Sequence, residues 1–278
     1  MYGGNDGTAT SRYRFIAKTM STSWYQNLAL NTADASDGCQ HTFAGLLARL
    51  RKKYDTDSLS FYRRWVRTRI DKDLRDFGHT VGDVTKYAGA YVQGLQSTGA
   101  IACFKHFPGL GDVPADLDPH STLPTVNADK DHIYNVNLAT FKHFIQSTNP
   151  QEQADMIMAT DVLMPDIDPK FPAELSHTFI TDILRTQFGY DGVVISDSLH
   201  LQGVAIDGQH LSIGDAAVLA IQAGIDMALN VTGPAEVTEV INALKAALQN
   251  GTITQIRIEE AVTRIITLKM ERHLMPGQ

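Results

Sequence analysis

From residue 82 onward, the chain alternates between the hydrophobic spacing of helices and that of buried strands. Apolar residues recur at helical spacing over residues 85–96, 131–146, 176–188, 215–224, 234–249 and 256–270. Short apolar runs lie between them at 100–104, 156–160, 192–196 and 226–229. Strands that alternate with helices of this length indicate an α/β fold with parallel strands. The pattern alone leaves a barrel and an open, doubly wound sheet as alternatives.

The composition excludes several other classes of protein. With 43% hydrophobic and 20% charged residues, the 278-residue chain can form a sizeable core, which argues against disorder and against coiled coils. No apolar run is long enough for a membrane span, and the first residues lack the pattern of a signal peptide, so we expect a cytoplasmic protein. The two cysteines, Cys39 and Cys103, are too few for a disulfide scaffold and lack metal-ligand spacing.

Charge is distributed unevenly along the chain. Residues 1–75 contain 13 Lys and Arg against 7 acids, whereas residues 76–278 contain 11 against 24. We therefore predict an atypical, basic and mainly helical segment over 1–74 and a catalytic portion over 75–278. The basic residues could form a nucleic-acid footprint, but no aromatic pattern accompanies them, and a solvated helical face is the favoured interpretation.

Polar side chains cluster where three of the predicted strands end. Lys105 and His106 follow the first strand, Thr160 and Asp161 the second, and Asp197 the third. In α/β folds of either kind, ligands bind at the carboxyl ends of the strands. An aspartate that ends an apolar strand lowers stability unless it is paired, hydrated or functional. Opposite Lys105, Asp197 would stay ionised and could act as a nucleophile or could stabilise a cationic transition state.

The long loop over residues 107–124 contains a second candidate group. Asp118 precedes His120 by two residues, so its carboxylate could bond one imidazole nitrogen and raise the basicity of the other. Such a pair could serve as a general acid and base near neutral pH. A divalent-cation site formed with Asp112 and Asp116 is the alternative interpretation of this loop, although the spacing matches no known cation loop.

Four motifs together resemble the catalytic domain of glycoside hydrolase family 3, and in particular its bacterial β-N-acetylglucosaminidase branch. They are RDFG at 75–78, KHFPGLGD at 105–112, DPHSTLP at 118–124 and VISDSL at 194–199. The resemblance covers about residues 75–270. It implies a TIM (β/α)8-type barrel and a retaining glycoside hydrolase that removes terminal, non-reducing β-N-acetylglucosamine from peptidoglycan-type or chito-oligosaccharides, without a metal or organic cofactor.

The resemblance also implies roles for individual residues. Asp197 would be the nucleophile, and His120, supported by Asp118, would be the acid and base, instead of the carboxylate pair usual in retaining glycosidases. Arg75, Lys105 and His106 would hold the hydroxyl groups of the sugar. The partner is thus a carbohydrate, and the sequence does not define an oligomeric state.

Three departures from the family pattern generate alternatives. Leu110 stands where the branch has a second histidine, two extra residues precede the dyad, and the family's first strand motifs are not legible in residues 1–74. We therefore expect a barrel that is incomplete or irregular in its N-terminal part, in a chain that is truncated or shifted in reading frame over residues 13–74. A β-glucosidase-like specificity and a non-catalytic remnant remain the alternative functions.

Overall fold

The computed structural model describes residues 76–275, and Arg75 and the predicted segment 1–74 lie outside this range. The strands are β1 (Cys103–Phe107), β2 (Met156–Ala159), β3 (Val193–Ser198), β4 (Ala205–Ile206), β5 (Gln209–His210) and β6 (Met227–Leu229). The helices are α1 (Val81–Gln96), α2 (Lys130–His132, Ile133–Asn137 and Ala139–Ile145), α3 (Thr178–Gln187), α4 (Ile213–Ala223), α5 (Gly233–Gln249) and α6 (Gln255–Glu271). A single 3₁₀ turn, Ala173–Leu175, precedes α3.

Four of the strands form one parallel sheet in the order β1-β2-β3-β6. Neighbours in the sheet are also successive parallel strands along the chain, and helices connect them. An open, doubly wound sheet reverses its strand order at a switch point, whereas a barrel adds each strand beside the last. The order shows no reversal among the four described strands and thus agrees with the predicted barrel, of which residues 76–275 form a part that is not closed.

Local signals in the sequence determine where the helices begin. Thr80, Ser212 and Thr254 precede α1, α4 and α6, and each side-chain oxygen accepts a hydrogen bond from the backbone N–H three residues later. These contacts satisfy donors that the first helical turn leaves without partners. The predicted helices are confirmed within a few residues, but α3 and the middle of α2 have the wider π-helical winding, which the apolar spacing did not indicate.

The main hydrophobic core lies between the sheet and the helices. Strand β2 is buried along its whole length, as expected for a strand covered on both faces. Phe107 at the end of β1 packs edge-on against Phe141 of α2 and Phe179 of α3, with ring centroids 5.3 and 6.3 Å away. The core therefore holds the carboxyl end of β1 against two helices.

No helix in residues 76–275 is sufficiently long and apolar to cross a membrane.

At the amino-terminal ends of β3 and β6, the buried carboxylate of Asp226 binds three arginines. Arg185 of α3 donates to Oδ2 at 2.5 Å, and Arg257 and Arg264 of α6 donate to Oδ1 at 2.5 and 3.4 Å. The backbone N–H of Val194 in β3 also donates to Oδ2. One carboxylate thus connects two strands to two helices at the end of the sheet opposite Asp197.

We predict that Asp226→Asn lowers the free energy of unfolding by about 3–5 kcal/mol, because it leaves buried guanidinium groups without their counter-charge. Urea denaturation followed by circular dichroism measures the change. Asp191→Asn is the matched control, since the Asp191 side chain is 91% exposed and, within residues 76–275, accepts from Arg264 alone. We expect this control to lose less than about 1 kcal/mol. Equal losses in the two variants would contradict the structural role of Asp226.

Candidate active site

The carboxyl ends of β1, β2 and β3 bring the predicted polar residues to one edge of the sheet. Lys105 of β1, Met158 of β2 and Ile195 of β3 are in register with one another. Thr160 lies two residues after Met158 and Asp197 two residues after Ile195, so these two residues end their strands at the same height. The register between β1 and β2 shifts between Lys105 and Phe107. The predicted convergence of these three strand ends is thus present in the structure.

Asp197 is half-buried, and hydrogen bonds hold both of its carboxylate oxygens. The hydroxyl of Thr160 donates to Oδ2 at 2.8 Å, and the backbone N–H of Ser198 donates to Oδ1 at 2.8 Å. Nε2 of His106 lies 3.9 Å from Oδ2. Donors around a carboxylate stabilise its ionised form and fix its orientation. Asp197 therefore has the orientation and environment that a reactive carboxylate requires.

The predicted pair of Asp118 and His120 is present in the loop after β1. Oδ1 of Asp118 lies 2.8 Å from Nδ1 of His120 and accepts a second hydrogen bond, at 3.0 Å, from the backbone N–H of the same residue. A proton assigned to Nδ1 leaves Nε2 available to exchange a proton with a ligand. The His120 side chain is 63% exposed, so this nitrogen is accessible.

Backbone contacts attach this loop to the rest of the barrel. The carbonyl of Pro119, between the two dyad residues, accepts from the N–H of Gly203 at 3.0 Å. Nearer β1, Leu110 packs against the main core, and Asp112 Oδ2 lies 2.9 Å from Nε2 of His132 in α2. The loop is thus anchored between the two dyad residues and at its beginning, nearer β1.

Not all of the predicted site residues are in contact. Asp197 makes no hydrogen bond or ion pair with Asp118 or His120 in the described part of the chain. The structure therefore contains two separate groups, a fixed carboxylate on β3 and a dyad on the loop. Of the residues predicted to hold the sugar, Arg75 lies outside the described residues. Lys105 is half-buried and precedes His106 on β1. Within residues 76–275, no three potential metal ligands are grouped around a common point.

At this edge, the role of Thr160 was not predicted from the sequence, and Glu174 was not recognised at all. The hydroxyl of Thr160 orients Asp197, and the Glu174 carboxylate accepts the Asp197 backbone N–H at 2.9 Å. The position of Thr160 at the end of a predicted strand was a usable signal. Glu174 lies in a Pro-rich connection between β2 and α3, where no periodicity indicates which side chains turn inward.

The chain is similar to known proteins. The family described as "Glycosyl hydrolase family 3 N terminal domain" matches residues 67–268. A beta-hexosaminidase of Psychromonas ingrahamii is 32% identical over 185 residues, which are 66% of this chain and 52% of that protein. Beta-hexosaminidase LpqI of Mycobacterium tuberculosis is 33% identical over 202 residues, which are 70% of this chain and 48% of that protein.

A solved structure shows the same similarity in three dimensions. The glycoside hydrolase family 3 beta-N-acetylglucosaminidase from Paenibacillus sp. str. FPU-7 aligns with a TM-score of 0.66 and 33% identity, over 73% of this chain and 37% of that one. The chain spans about half the length of the curated relatives that it matches first.

We predict that Gly203→Ala destabilises the edge that carries the dyad loop. A Cβ atom at Gly203 would lie 2.6 Å from Cβ of Asp161, so the backbone must shift away from the position that bonds Pro119. We expect a loss of about 1–3 kcal/mol in the free energy of unfolding and faster proteolysis of the 108–124 loop. Gly111→Ala is the control, because an added Cβ there meets no atom within 4 Å. Indistinguishable variants would show that this contact does not restrain the loop.

Proposed function

The chain belongs to glycosyl hydrolase family 3, and from this we propose that it is a retaining β-N-acetylglucosaminidase. The principal support is the oriented carboxylate of Asp197 on β3, together with a separate His120–Asp118 dyad on the loop after β1. The names of the relatives, beta-hexosaminidase and beta-N-acetylglucosaminidase, favour an N-acetylhexosamine as the sugar. We propose terminal, non-reducing β-N-acetylglucosamine of peptidoglycan-type fragments or chito-oligosaccharides as the substrate.

In the first proposed step, Asp197 attacks the anomeric carbon while His120 protonates the leaving oxygen. The bond between that carbon and the aglycone oxygen breaks, a glycosyl ester to Asp197 forms, and the proton of His120 Nε2 moves to the aglycone. For this step His120 must donate the proton on Nε2, and the Asp118 carboxylate 2.8 Å from Nδ1 orients the ring. Thr160 and Ser198 hold the attacking carboxylate in place.

In the second step, a water molecule replaces the enzyme at the anomeric carbon. Neutral His120 takes a proton from the water as its oxygen attacks, and the ester bond to Asp197 breaks and restores the carboxylate. Two displacements at one carbon retain the β configuration. Lys105, His106 and Arg75 are proposed to bind the sugar hydroxyls, and the location of His106 beside Asp197 agrees with this role.

We predict that Asp197→Asn lowers kcat on 4-nitrophenyl β-N-acetylglucosaminide by about 10³-fold or more, because the amide cannot form the glycosyl ester. Release of nitrophenol measures turnover. Asp207→Asn, at an exposed position of the β4–β5 turn, is the control and should keep full activity. Wild-type turnover by Asp197→Asn would exclude Asp197 as the nucleophile. If folded wild-type protein released no nitrophenol, the proposed function itself would be wrong.

We predict that the effect of His120→Ala depends on the leaving group. Turnover of an alkyl β-N-acetylglucosaminide should fall by about 10²–10⁴-fold, since its leaving oxygen requires protonation. With a dinitrophenyl glycoside, the first step needs little acid assistance but the second lacks its base. The glycosyl-enzyme should therefore accumulate, and intact-protein mass spectrometry should detect one added N-acetylglucosaminyl unit.

His177→Ala is the matched control for this experiment, since its side chain is 62% exposed and also pairs with an aspartate, Asp182. It should retain activity toward both glycosides and should not accumulate an adduct. A uniform loss of activity in His120→Ala, regardless of the leaving group, would contradict the acid and base role of His120.

A further inference from the structure

Next to Asp197, two acidic side chains are buried together. Asp161, which follows β2, and Glu174, in the 3₁₀ turn before α3, both have no exposed surface. The backbone N–H of Glu174 donates to the carbonyl of Thr160 at 3.3 Å, and Thr160 directly precedes Asp161, so the two acidic residues come close together. The Glu174 Oε2 atom accepts the backbone N–H of Asp197 at 2.9 Å, so this acidic pair is directly connected to the proposed nucleophile.

The described part of the chain supplies few donors to this pair. Neither oxygen of Asp161, nor Oε1 of Glu174, receives a hydrogen bond from an N–H or O–H group in residues 76–275. None of the lysines, arginines or histidines in that range forms an ion pair with either carboxyl group. Two adjacent carboxylates without a cation repel each other strongly in a water-free interior. A proton on one of them converts the repulsion into a hydrogen bond.

The groups that face the pair add negative charge to its surroundings. Asp197 on β3 is the third carboxyl group. The basic residues of this edge are Lys105 and His106 on β1, and His106 Nε2 lies 3.9 Å from Asp197 Oδ2. Gly203 packs its backbone directly over Asp161. Burial, followed by the neighbouring carboxyl groups, raises the pKa of Asp161 well above its usual range. Burial is also the main cause that raises the pKa of Glu174.

We propose that Asp161 and Glu174 share one proton at neutral pH and that this acid pair positions the nucleophile. Asp161 donates the shared proton to Glu174, and Glu174 in turn accepts the Asp197 N–H. The proton keeps a second negative charge away from Asp197 and locks the turn before α3 against the end of β3. Asp161 and Glu174 are thus positioning residues, and this part of the inference rests on the proposed function of Asp197.

The shared proton itself is tested without substrate. Infrared spectra of the wild-type protein at pH 7 should contain the carbonyl band of a neutral carboxylic acid. Asp161→Asn should lack this band, because its amide N–H replaces the proton and Glu174 is then ionised. Asp207→Asn is the control and should keep the band. A spectrum of Asp161→Asn identical to that of the wild type would overturn the proposal.

Stability against pH provides a second test of the proton. Some acids have a higher pKa in the folded chain than in the unfolded chain. Such an acid makes folding progressively less favourable as the pH rises from the unfolded pKa to the folded pKa. The pair should therefore lower the folding equilibrium constant by up to about tenfold per pH unit between roughly pH 5 and 8. Urea titrations should show a smaller decline for Asp161→Asn than for the wild type. Parallel declines would contradict the shared proton.

Activity tests the positioning role. Asp161→Asn preserves the donor, so we expect kcat close to that of the wild type and a weaker decline above pH 8. Asp161→Ala removes the donor, and kcat should fall about tenfold or more with little change in KM. Unchanged kcat in Asp161→Ala would overturn the positioning role. If the wild type hydrolyses no N-acetylglucosaminide, the proposed function fails, whereas the infrared and urea experiments still decide whether the proton is shared.

Discussion

The buried carboxylate of Asp226 fixes the relative positions of the elements that form the amino-terminal end of the sheet. Its three arginines come from α3 and α6, and two of them also bind backbone carbonyls: Arg185 binds those of Tyr190, Gly192 and Gly224, and Arg257 those of Ile221 and Ile225. One negative charge therefore allows several positive groups to satisfy strand ends that water cannot reach. The level of β3 against β6, and with it the height of Asp197, depends on this network.

The two ends of the sheet differ in how their charged groups are paired and exposed. At the amino-terminal end, the buried carboxylate of Asp226 is paired with arginines, which is what stability requires. At the carboxyl end, Asp197 remains partly exposed, and His120 presents a ring nitrogen to solvent on a loop. Since a barrel brings all of its strands to the same edge, a carboxylate on a rigid strand and a histidine on an attached loop can approach a glycosidic bond from separate supports.

The sequence allowed the α/β class, most helix and strand positions and the Asp118–His120 pair to be predicted, because these depend on short-range spacing. The β4–β5 hairpin was missed, although Asp207 and Gly208, both with positive φ, form the Asp-Gly turn typical of hairpins. Glu174 could not have been found in this way. Its contact with Asp197 spans 23 residues and depends on how the connection after β2 folds back, which no local pattern encodes.

Asp226 and the Asp161–Glu174 pair are two responses to the same physical problem, the burial of carboxyl groups. Around Asp226, arginines supply the counter-charge, and because guanidinium groups stay protonated, that network is insensitive to pH over the physiological range. For the pair beside Asp197, no ion pair with a basic side chain of residues 76–275 supplies a counter-charge, and we propose that a proton does so. A proton can be lost, so the Asp161–Glu174 pair responds to pH whereas the Asp226 network does not. The pH-insensitive network lies at the amino-terminal end of the sheet, and the titratable pair lies beside Asp197, the carboxylate proposed to react.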